Sequence, residues 1–291
     1  MKKAIGIAAG MFALYATAPA SATTISFNDF SNLSTFQQNG STAAIADPVV
    51  DSLGRNVLRL TNNLGQSGSA FLTNSINLAN QASFSTFFTF RISNPQGISD
   101  EDGQGADGIV FVVQTVSNTA GGAGGGIGYS GIAHSVGVEF DTWNNGLGLN
   151  DPNGNHVGID IGGGFNGPTA IIAPRMNNGE DWYAWIDYNG NTQLIEVRLS
   201  QTNSRPAVAT LTRTANLVSE LGQTNAFIGF TSGTGAAGGF HDIVNWTFVD
   251  DFKPIDEPPS GTPEPGSLAL LGGTALAMAA LRRRQTTVSQ R

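Results

Sequence analysis

An all-β fold is predicted by three observations. Apolar and polar residues alternate with period two in segment after segment, clusters of Gly, Asn, Ser and Thr separate those segments, and no long amphipathic helix pattern appears in the body of the chain. Many strands with few helices indicate a sandwich of two sheets. Of the 291 residues, 38 are glycine and none is cysteine, which excludes disulfides and thiolate metal sites. Between its two tails the chain has the length of one β-sandwich domain, roughly 200–250 residues.

Taken from the N-terminus, the first element is not part of that fold. Lys2 and Lys3 precede the apolar run AIGIAAGMFALYA, and Ala20-Ser21-Ala22 supplies a small-x-small cleavage pattern, so residues 1–22 read as a secretory signal peptide cut after Ala22. Strands then follow at ASFSTFFTFRIS (82–93), DGIVFVVQT (107–115), HSVGVEFDTW (134–143) and HVGIDI (156–161). Four more are expected at WYAWIDYNG (182–190), QLIEVRLS (193–200), AFIGFTS (226–232) and IVNWTFV (243–249). Between the fifth and sixth, Asn189-Gly190 predicts a tight hairpin turn, because both residues tolerate positive φ.

The segment VEFDTWNNGLGLNDPNGNHVGID (138–160) carries the chemistry. In the strand SVGVEFDTW, Val136, Val138 and Phe140 fall on one face, and Glu139 and Asp141 on the other. The Asn/Gly-rich stretch after it, with Asp151-Pro152, must turn, and HVGIDI then resumes alternation and can return His156 beside the first strand. Glu139, Asp141, Asn145, Asp151 and His156 thus gather oxygen ligands and one imidazole within 18 residues. Oxygen donors suit Ca²⁺, whereas carboxylates with an imidazole suit Mn²⁺ or a similar transition ion. Two adjacent ions sharing Asp141 and Asp151 would use every group. The competing reading is a polar hairpin with solvated carboxylates and a core histidine.

Six of the 14 basic residues lie in the two tails, which leaves 8 basic against 22 acidic residues over 23–265, a formal net charge of −14. Nucleic acid is excluded as a partner on that balance. Residues 251–265 form a Pro- and acid-rich linker, followed by the apolar run of residues 266–281 and the cluster Arg282-Arg283-Arg284. That run is shorter than the ~20 residues that span a bilayer comfortably, with the arginines placed to hold its end at the cytoplasmic face.

The motif VEFDTWNN, then Asp-Pro, then HVGID resembles the metal-binding segment of the legume-type (L-type) lectins. Further pieces follow the same family's order: SFNDF (26–30), ASFSTFFTFRIS, ADGIVFVVQ (106–114), GGGIG (124–128), WYAWIDYNG, and IGFTSGTG with NWTF (228–248). The resemblance implies a concanavalin A-like jelly-roll β-sandwich over residues 23–250, a domain that binds carbohydrate and is not an enzyme. Separately, Pro263-Glu264-Pro265, the short apolar run and the basic cluster resemble the PEP-CTERM sorting signal of Gram-negative bacteria that make exopolysaccharide, here residues 263–284 with 285–291 as a tail. That implies transient inner-membrane anchoring, cleavage near the motif by an exosortase, and delivery to the cell surface or extracellular matrix; a permanent anchor is the alternative.

Roles carried over from the lectin resemblance are specific. Glu139, Asp141, Asp151 and His156 would ligate the transition ion; Asp141, Asp151, the Asn145 side chain and the Trp143 carbonyl would ligate Ca²⁺. Asp107 would accept hydrogen bonds from two adjacent sugar hydroxyls, as a carboxylate can, and a cis peptide is implied between Ala106 and Asp107. Asn145 would donate an amide hydrogen bond, Trp143 would offer its ring to the sugar or to the core, and Gly126 in the glycine-rich turn would contribute a backbone amide. The loop SGTGAAGGFHD (232–242) would complete the pocket, and its Ala236 and Ala237 have only backbone groups to offer, which leaves sugar specificity open. His134 and His241 match no ligand position. Exposed sheet faces of this fold pair in the family, so a homodimer is one available assembly.

Two other classes share the architecture. Concanavalin-like glycoside hydrolases display E-x-D-x-E or E-x-D-x-x-E on a strand, but after Glu139 and Asp141 the third position is Trp143 or Asn144. A retaining mechanism needs two free carboxyl groups about 5–5.5 Å apart. The other class is a structural matrix protein that keeps the fold without binding sugar.

Overall fold

The alternating segments pair into two sheets. The computed structural model describes residues 22–45 and 47–256, so the signal-peptide and sorting-signal readings fall almost wholly outside the described residues. In chain order the first strands are β1 (Thr24–Phe27), β2 (Phe36–Gly40), β3 (Val49–Val50), β4 (Asn56–Thr61), β5 (Ser67–Leu72), β6 (Ile76–Asn77) and β7 (Phe84–Gly97). Then come β8 (Ser99–Asp100), β9 (Gly103–Gln104), β10 (Gly108–Gln114), β11 (Ser135–Asp141), β12 (His156–Ile161) and β13 (Thr169–Ile171). The last are β14 (Asp181–Asn189), β15 (Leu194–Ser200), β16 (Leu211–Thr214), β17 (Asn225–Gly233) and β18 (Ala237–Val249).

One sheet runs β13-β12-β11-β10-β17-β5-β2 with β6 against β17; the other runs β16-β15-β14-β7-β18-β4-β3 with β1 against β18. We call them front and back. The inward sets of β7, β10, β11 and β17 meet between them: Phe88 packs edge-on against Phe140 at 5.7 Å and Phe230 at 4.9 Å, and Phe111 and Trp246 close the cluster. Each such aromatic pair adds about 0.5–1.5 kcal/mol beyond its buried area. All-β was therefore readable from periodicity alone. The sequence pattern did not announce two short helices, α1 (Ser41–Ala44) and α2 (Leu217–Leu221). The second was nevertheless punctuated: the Asn216 carboxamide accepts from Ser219 N at 3.1 Å, and Gly222 ends the helix at φ 71°.

The hairpin between β14 and β15 differs from the tight Asn189-Gly190 turn expected. Asn189 is still paired, with Leu194, so four residues make the loop, and the positive φ (59°) falls on Gln193. Asn189 Oδ1 instead accepts from Asn191 N and Thr192 N. Glycine is needed at position 190 for a different reason, because a Cβ there would strike the backbone carbonyls of Gln81 and Ala82.

On its outer face the front sheet carries a second apolar cluster, Phe71, Val110, Val112, Ile127 and Tyr129. It clamps the glycine-rich segment after β10 onto the sheet, with the Tyr129 ring lying where a side chain at Gly137 would be, 2.9 Å from an added Cβ. The 3₁₀ turn Gly124–Gly126 is thereby fixed at the rim.

Candidate functional site

Register decides which polar groups meet. Asp141 pairs with Gly108 on one side and His156 on the other, and Glu139 pairs with Gly158, so Glu139, Asp141 and His156 project from one face of neighbouring strands. Gly158 makes room: a Cβ there would run into the Glu139 carboxylate. One ligand atom from each of Glu139, Asp141 and His156 lies within 4.8 Å of the others. His156 Nε2 is 3.5 Å from Glu139 Oε1 and 3.8 Å from Asp151 Oδ1, while Nδ1 lies 3.0 Å from the Asn153 carbonyl, a contact that aims Nε2 into the cluster. The connecting loop is tied to the same carboxylates, since Trp143 N donates to Asp141 Oδ1 at 2.7 Å and Asn145 N to Asp151 Oδ2 at 2.6 Å.

Electrostatically the cluster is unbalanced. Glu139, Asp141, Asp151, His156, Asp160 and Asp107 are all buried, none above 4 % exposed. Burial raises every one of the carboxyl groups above its ordinary pKa, Asp107 and Asp160 to about 7, and mutual repulsion adds to the rise. Burial also lowers His156, which keeps its imidazole neutral and able to ligate. His156 Nε2 has no hydrogen-bond partner in the chain, and Glu139 Oε2, Asp107 Oδ2 and Asp160 Oδ2 meet no full hydrogen bond as ionised acceptors, although Glu139 lies against Asp160 and Asp107 against the Gly235 amide. Buried anions without a partner are costly, and this donor set of carboxylates plus one imidazole, with inward-facing orphan atoms, fits divalent cations.

Asp107 stands just before β10, at a cis Ala106–Asp107 peptide as the resemblance implied. Its carbonyl accepts from Thr142 N at 2.9 Å, and its amide donates to Gly233 at 3.1 Å. These backbone bonds join Asp107 both to the residue after β11 and to the end of β17. Across from it, Gly124 N donates to the Thr234 carbonyl at 3.0 Å, bringing the glycine-rich turn against the β17–β18 hairpin. Trp143 is half-buried and Asn145 exposed.

Three expectations are corrected by this geometry. The Gly126 amide is committed to the Ala123 carbonyl at 3.1 Å; Gly125 is the residue under Asn145, where any Cβ would collide with the Asn145 carboxamide. The segment 232–242 is not a long loop, because β17 extends to Gly233 and β18 begins at Ala237, leaving Thr234, Gly235 and Ala236 as the turn. Ala237 is buried and paired with Gly97, so of the two alanines Ala236 alone faces solvent.

Two contributors were missed. Asp160 lies in phase with His156 and Gly158 along β12, so strict alternation would have placed it beside Glu139; its Oδ1 accepts from Asn166 N and Gly167 N at 2.8 and 3.0 Å. The hairpin β8–β9 is the other. Asp100 Oδ2 accepts from Asn144 N at 3.0 Å, and Glu101 Oε1 accepts from Asn144 Nδ2 at 2.7 Å and Gly154 N at 3.0 Å. At the hairpin's base Ile98 N donates to the Ala236 carbonyl at 3.2 Å, so this strap ties the β11–β12 loop to the β17–β18 turn. No local pattern links residues 43 to 53 positions apart.

The legume lectin domain model matches residues 22–263. This chain belongs to the legume lectin family. An L-type lectin-domain containing receptor kinase VIII.1 of Arabidopsis thaliana is 32% identical over 192 residues, 63% of this chain and 26% of that one. The bark lectin of Styphnolobium japonicum is 30% identical, covering 60% of this chain and 64% of its own. The chain spans about a quarter to a third of the receptor kinases it matches. Among solved structures, a peanut lectin superposes with a TM-score of 0.62 at 26% identity, over 79% of this chain and 97% of that one. The two sheets described above are thus the jelly-roll sandwich of this family. Legume lectin domains bind carbohydrate and are not enzymes, which removes the hydrolase reading.

Proposed function

We propose that this legume lectin domain binds carbohydrate at the rim formed by Asp107, Asn145, Trp143, the Gly124–Gly126 turn and Ala236, and that two cations hold that rim in shape. In this reading Glu139, Asp141, Asp151 and His156 hold a transition ion such as Mn²⁺, while Asp141, Asp151, the Asn145 side chain and the Trp143 carbonyl hold Ca²⁺. The observation that carries it is the set of buried, mutually repelling carboxylates with orphan oxygens around an imidazole whose Nε2 is unbonded. When bound, the cations would neutralise that charge; the sugar contacts come from the chain itself. Asp107 would accept from a sugar hydroxyl; its Oδ2 is enclosed and lacks a full hydrogen bond in the unliganded chain, so this contact requires the rim to open toward the sugar. The Asn145 carboxamide, held over Gly125, would supply a donor at the same rim.

Further proposals concern where the domain works. Residues 1–22 direct export, residues 23–250 are the lectin domain, residues 251–265 are a linker, and residues 263–284 form a PEP-CTERM signal processed by an exosortase. The mature protein would then bind exopolysaccharide or surface glycans outside a Gram-negative cell. The charged start, the Ala-Ser-Ala pattern, the Pro-Glu-Pro motif and the arginine cluster support this reading. Among the described residues no helix is long and apolar enough to cross a membrane. Glycan-array binding of the full chain with and without chelator tests the function. Binding abolished by chelator and restored by Ca²⁺ with Mn²⁺ is expected; binding that survives complete metal removal would refute the metal-organised site, and binding to no glycan would favour a matrix role.

A further inference from the structure

Along β7 and β14 the side chains that point away from the core make the outer face of the back sheet. Arg91 and Asp181 are opposite one another there, and Tyr183 lies two residues on. With Leu53, Glu180 and Gln201 they line an open dent of about 350 Å³. Asp187 and Ser85, where Lys253 N of the segment after β18 hydrogen-bonds at 3.1 Å, pair six residues away along the same strands, about 20 Å at strand spacing. That distance leaves the dent clear of the described part of the linker.

Two features separate it from an ordinary surface ion pair. The Arg91 side chain is only 13% exposed; its Nε is enclosed without a partner and out of a ligand's reach, while its Nη atoms make only long contacts, to Ser52 Oγ at 3.5 Å and Asp181 Oδ1 at 3.7 Å, and are the donors left for the dent. Asp181 is claimed instead by Arg55, through bonds of 2.6 and 2.9 Å, and Arg55 also holds Asp51. Arg91 is therefore a nearly enclosed guanidinium whose donors are under-used, although buried arginines are normally saturated. Beside it the Tyr183 ring is stacked on buried Phe87, 17° between planes and 6.4 Å between centroids, and is half-buried with its remaining surface in the dent.

A fixed aromatic ring, a donor fork with spare hydrogens and carboxylate acceptors on one wall are the groups that recognise a pyranose: ring against the apolar sugar face, adjacent hydroxyls between donor and acceptor. We propose that this dent is a second glycan site, independent of divalent cations, that takes a neutral pyranose residue of a polysaccharide. Neutral rather than acidic follows from the local charge, since Arg55 and Arg91 face Asp51, Asp181 and Glu180. The candidate metal rim belongs to the front sheet and this site to the back, so one chain would hold two glycan segments and cross-link a matrix without dimerising.

Titration calorimetry of the full chain in excess chelator, with cellobiose, mannobiose and lactose as probes, tests the site. At least one probe should bind under chelation. Tyr183→Ala and Arg91→Met should each weaken that binding by about tenfold, and Gln201→Ala, an exposed change that leaves the fold intact, should weaken it by about two- to threefold. Tyr183→Phe should retain it, and Asp107→Asn should leave it unchanged while removing any chelator-sensitive binding. Absence of chelator-resistant binding for all three probes, or such binding unaffected by Tyr183→Ala, Arg91→Met and Gln201→Ala, would overturn the proposal without touching the reading of the metal rim.

Discussion

Stripping the divalent ions should make the protein's stability fall steeply with rising pH. Asp107 and Asp160 are both pushed up to about 7, chiefly by burial, against about 3.9 for an exposed aspartate. A folded-state pKa above the unfolded one means that folding takes up protons, so the stabilising contribution is complete below the unfolded value near 4 and is lost as pH rises through the folded value near 7. Within that window each group contributes a slope of about 1.4 kcal/mol per pH unit. Between pH 5 and 7 these two alone would remove roughly 5 kcal/mol, the lower end of what holds a domain together. Glu139 and Asp141 are shifted in the same direction and deepen the loss, while buried His156 and His241, shifted down, add stability over the same window and offset part of it.

For a domain of this size 1 kcal/mol corresponds to about 2–4 °C in Tm, so the chelated protein should melt about 10–20 °C lower at pH 7 than at pH 5. Loaded with Ca²⁺ and Mn²⁺, whose charge favours the ionised carboxylates, the protein should lose that dependence and melt higher at pH 7 than in chelator. Differential scanning calorimetry of the full chain across pH 5–8, with chelator and with both ions, reads this directly. A chelated protein whose Tm is flat or rises from pH 5 to 7 would refute the buried, mutually repelling cluster on which the metal assignment rests.

Other perturbations separate the parts of the site. His156→Gln removes the unbonded Nε2 and should lower transition-ion affinity by tenfold or more by metal titration, on the order expected for loss of one first-row ligand. Gly158→Ala drives a Cβ into the Glu139 carboxylate and should reduce the same affinity while the protein still folds. Gly125→Ala displaces the Asn145 carboxamide, so sugar binding on a glycan array should drop more than bound metal measured by elemental analysis. Glu101→Ala cuts the two bonds to Asn144 and Gly154; for so exposed a group about 0.5–1 kcal/mol is at stake, a two- to fivefold loss in Ca²⁺-dependent sugar affinity that added Ca²⁺ should restore.

Much of the candidate site was legible because it is local. Glu139, Asp141, Asn145, Asp151 and His156 lie on two paired strands and the loop between them, and alternation alone put Glu139 and Asp141 on the face opposite Val136, Val138 and Phe140. Asp160 obeys the same rule and was equally available, two positions beyond Gly158. Gly125 was not: within a run of three glycines only the wound 3₁₀ turn decides which of them lies beneath Asn145, and glycines carry no side-chain pattern from which to read it. The tight turn expected at Asn189-Gly190 failed for a related reason, since the close approach of the Gln81 and Ala82 carbonyls fixes Gly190, a contact more than 100 residues away in sequence.

What the residues could not announce is how the loop is held when its own ligands repel one another. Asp100 and Glu101 add two more carboxylates to an already acidic end of the sandwich, and on charge alone they would loosen it. They do the opposite through hydrogen bonds, because each accepts from groups of the β11–β12 loop, and Gly154 lacks the Cβ that would strike Asp100. The neighbouring Arg175 guanidinium holds the carbonyls of Asp102 and Gln104 and so anchors the hairpin from the other side. A strap fixed at Arg175 and Ala236 keeps Asn144 in place from outside, so the order of the loop does not depend wholly on the ions it is proposed to bind. Chelation should therefore weaken sugar binding by loosening Asn145 and Asp151 while β8–β9 and its contacts persist; amide exchange that rose equally in Asn144 and in the hairpin on chelation would contradict this division.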